Sequence, residues 1–132
     1  SEERRRKVVY VQTYGTEARD RMATPIYLAA AAAAMDMDVS IYFTVHGPTL
    51  LKKGVPESVR VQRVDASGAP LDGAPIGHFL EQARDLGVRF LVCQPSLDLN
   101  GLAMDDLIDG VEMIGGAAFN DIAVDADAVI SF

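Results

Sequence analysis

Short apolar blocks recur along the chain, separated by glycine, proline and charged residues, and their periods alternate between strand and helix. Lys7 to Thr13 (KVVYVQT) is β-branched and apolar with a break at Tyr14-Gly15, which predicts a first strand. After a charged lead-in to Ala23, Thr24-Pro25 is a helix entrance, with Thr24 as cap and Pro25 at the first position. The alanine run through Met35 has the highest helix propensity available. Val39 to Val45 (VSIYFTV) predicts a second strand, ended by Gly47-Pro48, and Thr49 to Lys53 a brief helical turn. Val59 to Val64 alternates apolar with polar as a short edge strand would, and Asp65 to Pro75 (DASGAPLDGAP) reads as loop.

The second half repeats the alternation. A helix starts at Pro75 or Ile76 and runs to about Leu86, with Ile76, Phe79, Leu80, Ala83 and Leu86 on one face, and Gly87 ends it. Val88 to Cys93 (VRFLVC) reads as a buried strand. Pro95 cannot continue a central strand but suits the first turn of a helix, so Pro95 to Leu99 is expected to be a helical turn closed by Asn100-Gly101. Met104 to Asp109 predicts a short helix stopped by Gly110, Val111 to Ile114 a strand, Ala117 to Asp125 a helix and Ala128 to Phe132 a last strand. Strands and helices that alternate over short connections imply an α/β fold, a three-layer α/β/α arrangement around a mainly parallel sheet of five principal strands. Residues 1–132 are expected to form a single domain, with 49% hydrophobic residues to fill one core.

The strand carrying Cys93 brings chemistry into this pattern. It delivers the chain's single cysteine to its far end, just ahead of a helix N-terminus, where free N–H groups favour thiolate over thiol. By composition and position alone a cysteine ending an apolar strand is more often a small core hydrophobe, since free cysteine is among the most buried residue types. In open parallel sheets reactive groups gather beyond the carboxyl ends of strands, which places Thr13, Tyr14, His46 and Cys93 on one rim. His46 is either a base or donor toward Cys93 or plain surface. Ser96 either bonds the local backbone or contacts sulfur bound at Cys93, and Gln94 either donates to a persulfide or caps the turn. Asp105, Asp106 and Asp109 are best read as a solvated, dipole-favoured helix start rather than a metal cluster.

Composition narrows the partners. A net charge of −7 and a pI near 4.6 argue against nucleic acid and anionic membranes. The Arg4 to Lys7 cluster is read as a solvated lead-in to the first strand. One cysteine excludes an internal disulfide, and no signal-like or membrane-length apolar run is present, so the cytoplasm is the expected location. No glycine-rich phosphate loop, zinc-like Cys/His spacing or serine elbow is found, so neither metal nor cofactor is expected.

The segment LVCQPSLDLNGLAMDDLIDGVEMIGGAAF with the terminal DADAVISF resembles the DsrE/DsrF-like family of sulfur-relay proteins. There a strand-end cysteine precedes a serine three residues on, a glycine, a short LI.GVE segment and a final aromatic strand. Upstream, RMATPIYLAAAAAAMDMDVSIYFTVHGPTLLKKG resembles that family's first helix, second strand and following loop. The resemblance implies a persulfide carrier or sulfurtransferase with Cys93 as the catalytic residue and Ser96 at a matched position. It also implies TusA-like or rhodanese-like protein partners, a role in sulfur oxidation or tRNA thiolation, and a homo-oligomer, trimer favoured over hexamer. A non-catalytic scaffold or docking subunit with an inert Cys93 is the alternative.

Overall fold

The computed structural model describes residues 4–132. Five parallel strands form the main sheet: β1 (Lys7–Gln12), β2 (Asp38–Phe43), β5 (Arg89–Val92), β6 (Val111–Met113) and β7 (Ala128–Ser131), in the order β6-β5-β2-β1-β7. The helices are α1 (Thr24–Ala34), α2 (Val55–Ser58), α3 (Ile76–Asp85), α4 (Gln94–Leu99) and α5 (Gly116–Asp125), with 3-10 turns at Gly47–Leu51 and Met104–Asp106. The α/β class and the five-stranded parallel sheet expected from the sequence are both present.

Period-two alternation divides the sheet's side chains between two faces. Val8, Tyr10, Val39, Ile41, Phe43, Phe90 and Val92 enter the main core with Ile26 and Ala29 of α1 and Ile76, Leu80 and Ala83 of α3. The alanines of α1 leave little side-chain bulk between helix and sheet. On the opposite face Tyr42, Leu91 and Cys93 form a smaller cluster with Val11, Ile114, Phe119 and Ile122. The unequal cover follows from topology. The chain steps from β1 through β2 and β5 to β6 in one direction, then returns through α5 to the far edge at β7, so a single right-handed crossover serves the second face.

The differences from the sequence reading are local. Residues 65–75 are not all loop: β4 (Pro70–Pro75) pairs antiparallel with β3 (Arg60–Val64) in a hairpin separate from the main sheet. Asp65 makes this turn by accepting bonds from the Ser67 and Ala69 N–H groups at 2.8 and 3.0 Å. The prolines are tolerated because a two-stranded hairpin is all edge. Thr24 does not cap α1; Ala23 occupies that position and Thr24 is already helical. Strand β2 stops at Phe43, two residues early, because Val45 turns to φ +54°. The expected helix at 104–109 shrinks to the 3-10 turn. Arg4 to Lys7 is not merely solvated: Arg4 pairs with Asp127, Lys7 pairs with Asp125, and Arg5 donates to the Asp36 and Met37 carbonyls just past α1.

Candidate functional site

Cys93 is the residue between β5 and α4. It keeps an extended backbone at φ −121°, and the Leu97 N–H bonds its carbonyl at 3.2 Å, so the chain turns sharply there. From this turn α4 heads toward the main core, where Leu97 is buried, while the chain leaving β6 heads for the opposite face as α5. Neighbouring strands whose continuations part to opposite faces leave a crevice at their carboxyl ends. That crevice is present as an open depression of about 420 Å³ lined by Tyr42, Pro95, Met113, Ile114, Gly115 and Gly116, with Cys93 in its wall. A wider hollow of about 460 Å³ beside His78, Glu81 and Arg84 touches none of these residues.

The Cys93 side chain is nearly buried at 8% exposure, yet its sulfur faces hydroxyl groups. The Ser96 Oγ lies 3.0 Å from Sγ and the Thr44 Oγ1 lies 3.8 Å away. The β2–β5 register pairs Phe43 with Val92, which carries Thr44 to the level of Cys93 and sets Tyr42 one step behind on the same face. Ser96 is itself anchored: the Val45 N–H donates to its Oγ at 3.0 Å, and Thr44 Oγ1 is 2.9 Å from it.

Two opposed effects act on the thiol. Burial, the largest, disfavours the anion and pushes the pKa up. Hydrogen bonds from the Ser96 hydroxyl, the Tyr42 hydroxyl, the Ser96 N–H and the Thr44 hydroxyl act the other way, and together they hold Cys93 below the ordinary thiol value of 9.0. The Tyr42 phenol is displaced upward, by burial first and then by its bond to Cys93 and the charge there, so it stays a neutral donor. Its ring stacks on Phe119 of α5 at 4.3 Å, which holds the ring in place on the face that carries Cys93. Such a sulfur can accept and hold negative charge, which a thiol sealed in hydrocarbon cannot.

Ser96 meets Cys93: its Oγ touches the Cys93 sulfur itself, and the backbone group it bonds is the distant Val45 N–H rather than one in its own turn. Gln94 also lines the depression beside Cys93, but its amide donates to Asp98 at 2.8 Å rather than to the sulfur. Tyr14 lies by Arg21, whose guanidinium donates to its hydroxyl at 3.1 Å, in a hollow with Thr24 and Phe132 away from the sulfur. His46 does not contact Cys93; its Nδ1 is 3.2 Å from Asn100 Oδ1, and Asn100 in turn donates to the Ser96 carbonyl at 2.7 Å. The acidic residues shape turns: Asp106 accepts from the Ala103 N–H at 2.8 Å, and Lys53 donates to the Asp105 carbonyl at 2.8 Å. Among the described residues no three His, Cys, Asp or Glu side chains gather as metal ligands would.

Three residues at the site escaped the sequence reading: Tyr42, Thr44 and Asn100. A signal existed for the first two. Along VSIYFTV the residues with polar groups, Ser40, Tyr42 and Thr44, fall at every second position, so one face of a strand otherwise fit for a core carries three hydroxyls. Asn100 was read only as a stop signal.

Comparison with known proteins follows the same lines. A model of the DsrE/DsrF-like family matches residues 6–132. The sulfur carrier protein DsrE2 of Allochromatium vinosum is 28% identical over 153 aligned residues, covering 92% of this chain and 95% of that protein. Among solved structures, the ychN protein from E. coli superposes with a TM-score of 0.74 at 21% identity, covering 98% of this chain and all of that one. A protein of unknown function from Methanobacterium thermoautotrophicum, MTH1491, superposes with a TM-score of 0.60 at 17% identity, again over 98% of this chain and all of that one. Both share the fold.

Proposed function

The chain belongs to the DsrE/DsrF-like family, and on that premise we propose that it is a sulfur carrier that holds sulfane sulfur as a persulfide on Cys93. The observation that carries this reading is a lone sulfur, 3.0 Å from the Ser96 hydroxyl and 3.8 Å from that of Thr44, in the wall of an open crevice. Similarity to a protein described as a sulfur carrier supports it independently.

In the loading step the Cys93 thiolate attacks the outer sulfur of a donor persulfide, R–S–SH. A bond forms between the Cys93 sulfur and that outer sulfur, the donor's S–S bond breaks, and R–S⁻ leaves with the electron pair, giving Cys93–S–SH. Unloading is the same exchange with an acceptor thiolate attacking the outer sulfur and Cys93 as leaving group. No net oxidant or reductant is consumed. A lowered thiol pKa assists both directions, since it supplies the nucleophile when loading and stabilises the leaving thiolate when unloading. Having one cysteine suits such a relay: a second thiol nearby would discharge the sulfur by closing a disulfide.

Donor and acceptor in this proposal are thiols on other proteins, TusA-like or rhodanese-like carriers, within sulfur oxidation in the cytoplasm. No helix among the described residues is long and apolar enough to cross a membrane. Self-association, as a trimer, belongs to the same reading. Met113 of β6, Val124 of α5 and Val129 and Ile130 of β7 are exposed apolar residues on the two edge strands and on α5, and they support it.

The near-complete burial of Cys93 favours one rival, a scaffold with an inert cysteine. Intact-protein mass spectrometry after treatment with polysulfide separates them. The carrier gains the mass of sulfur atoms and a Cys93→Ser variant gains none; wild-type protein that stays unmodified while folded refutes the carrier.

A further inference from the structure

Val45 has a backbone conformation that its side chain disfavours. At φ +54° a β-branched residue sits in the left-handed region, where glycine or asparagine is usual. The neighbours of Val45 explain what this conformation accomplishes. Its N–H points at Ser96 Oγ, and its carbonyl accepts from Asn100 Nδ2 at 2.7 Å. The second hydrogen of the same amide goes to the Ser96 carbonyl, also at 2.7 Å. One asparagine thus ties the turn after β2 to the helical turn carrying the reactive sulfur.

Counting hydrogens gives the consequence. Ser96 Oγ has one hydrogen and two lone pairs, and three neighbours: the Val45 N–H, Thr44 Oγ1 and Cys93 Sγ. The Val45 N–H can only donate, so it fills one lone pair. When the sulfur is an anion it can only accept, so the nearer hydroxyl, Ser96 at 3.0 Å against Thr44 at 3.8 Å, turns its hydrogen to Sγ; in this arrangement the Thr44 hydrogen goes to the second lone pair of Ser96 Oγ rather than to the sulfur. Every donor and acceptor is then matched, and the Ser96 hydroxyl is polarised toward sulfur by two donors behind it. Both contacts of Asn100 Nδ2 are carbonyls, which fixes the amide's orientation, and Oδ1 is left to accept from His46 Nδ1.

We propose that Asn100 is a positioning residue for Cys93: it clamps Val45 in the left-handed turn and so aims the Val45 N–H, and through it the Ser96 hydroxyl, at the sulfur. This rests on the reading of Cys93 as a reactive thiolate. Asn100 is half-buried and touches neither the sulfur nor the crevice lining, so its effect passes entirely through Val45 and Ser96. The other titratable groups near this network are Tyr42, which donates to the sulfur, His46, which bonds Asn100, and Asp98, which is engaged by Gln94.

The test is the rate of Cys93 alkylation by a small neutral reagent as a function of pH, on folded protein. Asn100→Ala is expected to move the midpoint upward and to slow the reaction at neutral pH about tenfold, the loss of one well-aimed bond to an anion. Adding Val45→Gly should restore most of the rate, because glycine adopts φ +54° without the side-chain penalty and keeps the N–H. A purely structural role for Asn100 would give no such rescue. An Asn100→Ala profile that matches wild type, or a double variant no faster than Asn100→Ala, overturns the proposal. If Asn100→Ala does not fold, His46→Ala serves, since it leaves both Asn100 donors but frees their orientation; a smaller upward shift is expected, and no shift refutes the clamp. Polysulfide loading of wild-type protein is measured alongside: a normal alkylation profile without sulfur uptake refutes the carrier and leaves the positioning role standing.

Discussion

Removing the Ser96 hydroxyl is the most informative single change. Ser96→Ala deletes the group 3.0 Å from the sulfur and leaves Cβ, the helical turn and the buried position in place. A hydrogen bond to a charged group contributes about 1.5–3 kcal/mol, which corresponds to about a 10- to 100-fold smaller thiolate population at neutral pH. Stability falls too, because the Val45 N–H and the Thr44 hydroxyl both lose a partner; both are part-buried, so the cost stays at or below the roughly 1–3 kcal/mol of a fully buried unsatisfied donor. The two effects separate by pH. The folded state holds the Cys93 pKa below 9.0, so ionisation of the thiol stabilises the wild-type fold. That contribution is full above the ordinary thiol value and is lost as pH falls through the lowered folded value. The stability gap between wild type and Ser96→Ala should therefore widen as pH rises through that window and settle on its acid side to the cost of the orphaned donors alone. Urea unfolding at a series of pH values reads the gap, and alkylation at neutral pH reads the thiolate. A gap that is flat with pH, with an unchanged alkylation rate, would mean that Ser96 is only a turn hydroxyl.

Further expectations concern the groups around this one. Tyr42→Phe keeps the 4.3 Å stack on Phe119 and removes one donor to the sulfur, so alkylation of Cys93 at neutral pH should slow severalfold, less than in Ser96→Ala, with stability changed by under about 1 kcal/mol. Gly15→Ala should destabilise the protein by about 1–3 kcal/mol or more, because a Cβ there would collide with the His46 carbonyl and Thr49 Oγ1; the urea midpoint reports it. Tyr14→Phe should leave both alkylation and sulfur loading unchanged, since its hydroxyl bonds Arg21 far from the crevice.

What could be read from the sequence divides along the reach of each signal. The strand VRFLVC, the Pro95 helix start and the Asn100-Gly101 stop are local, and they place Cys93 correctly at a strand-to-helix turn. Ser96 is one helical turn from it and was within the same local reach. Tyr42 and Thr44 are about fifty positions upstream, and only the parallel pairing of β2 with β5 brings them to the sulfur. Strand order depends on packing over the whole chain, and apolar periodicity carries no record of it. The same gap explains Tyr14: it follows a strand end on the expected rim, but β1 is separated from β5 by β2, and Arg21 holds it elsewhere. The hairpin strand β4 was hidden because glycine, proline and aspartate signal turns, and here they occur in a strand whose only partner is β3. Val45 was hidden for a different reason. No residue pattern announces valine at positive φ, and the conformation is imposed by the bonds that Asn100 and Ser96 make to it.

The whole account needs a sulfur that solvent-borne reagents reach and that gives up its proton readily while the protein is folded. The direct measurement is the pH profile of Cys93 modification by a small uncharged alkylating agent, set beside the same profile for the unfolded chain. The account predicts that the native protein reacts without unfolding and reaches its plateau at a lower pH than the unfolded chain does. Modification that waits on global unfolding, at a rate indifferent to reagent concentration, would contradict it.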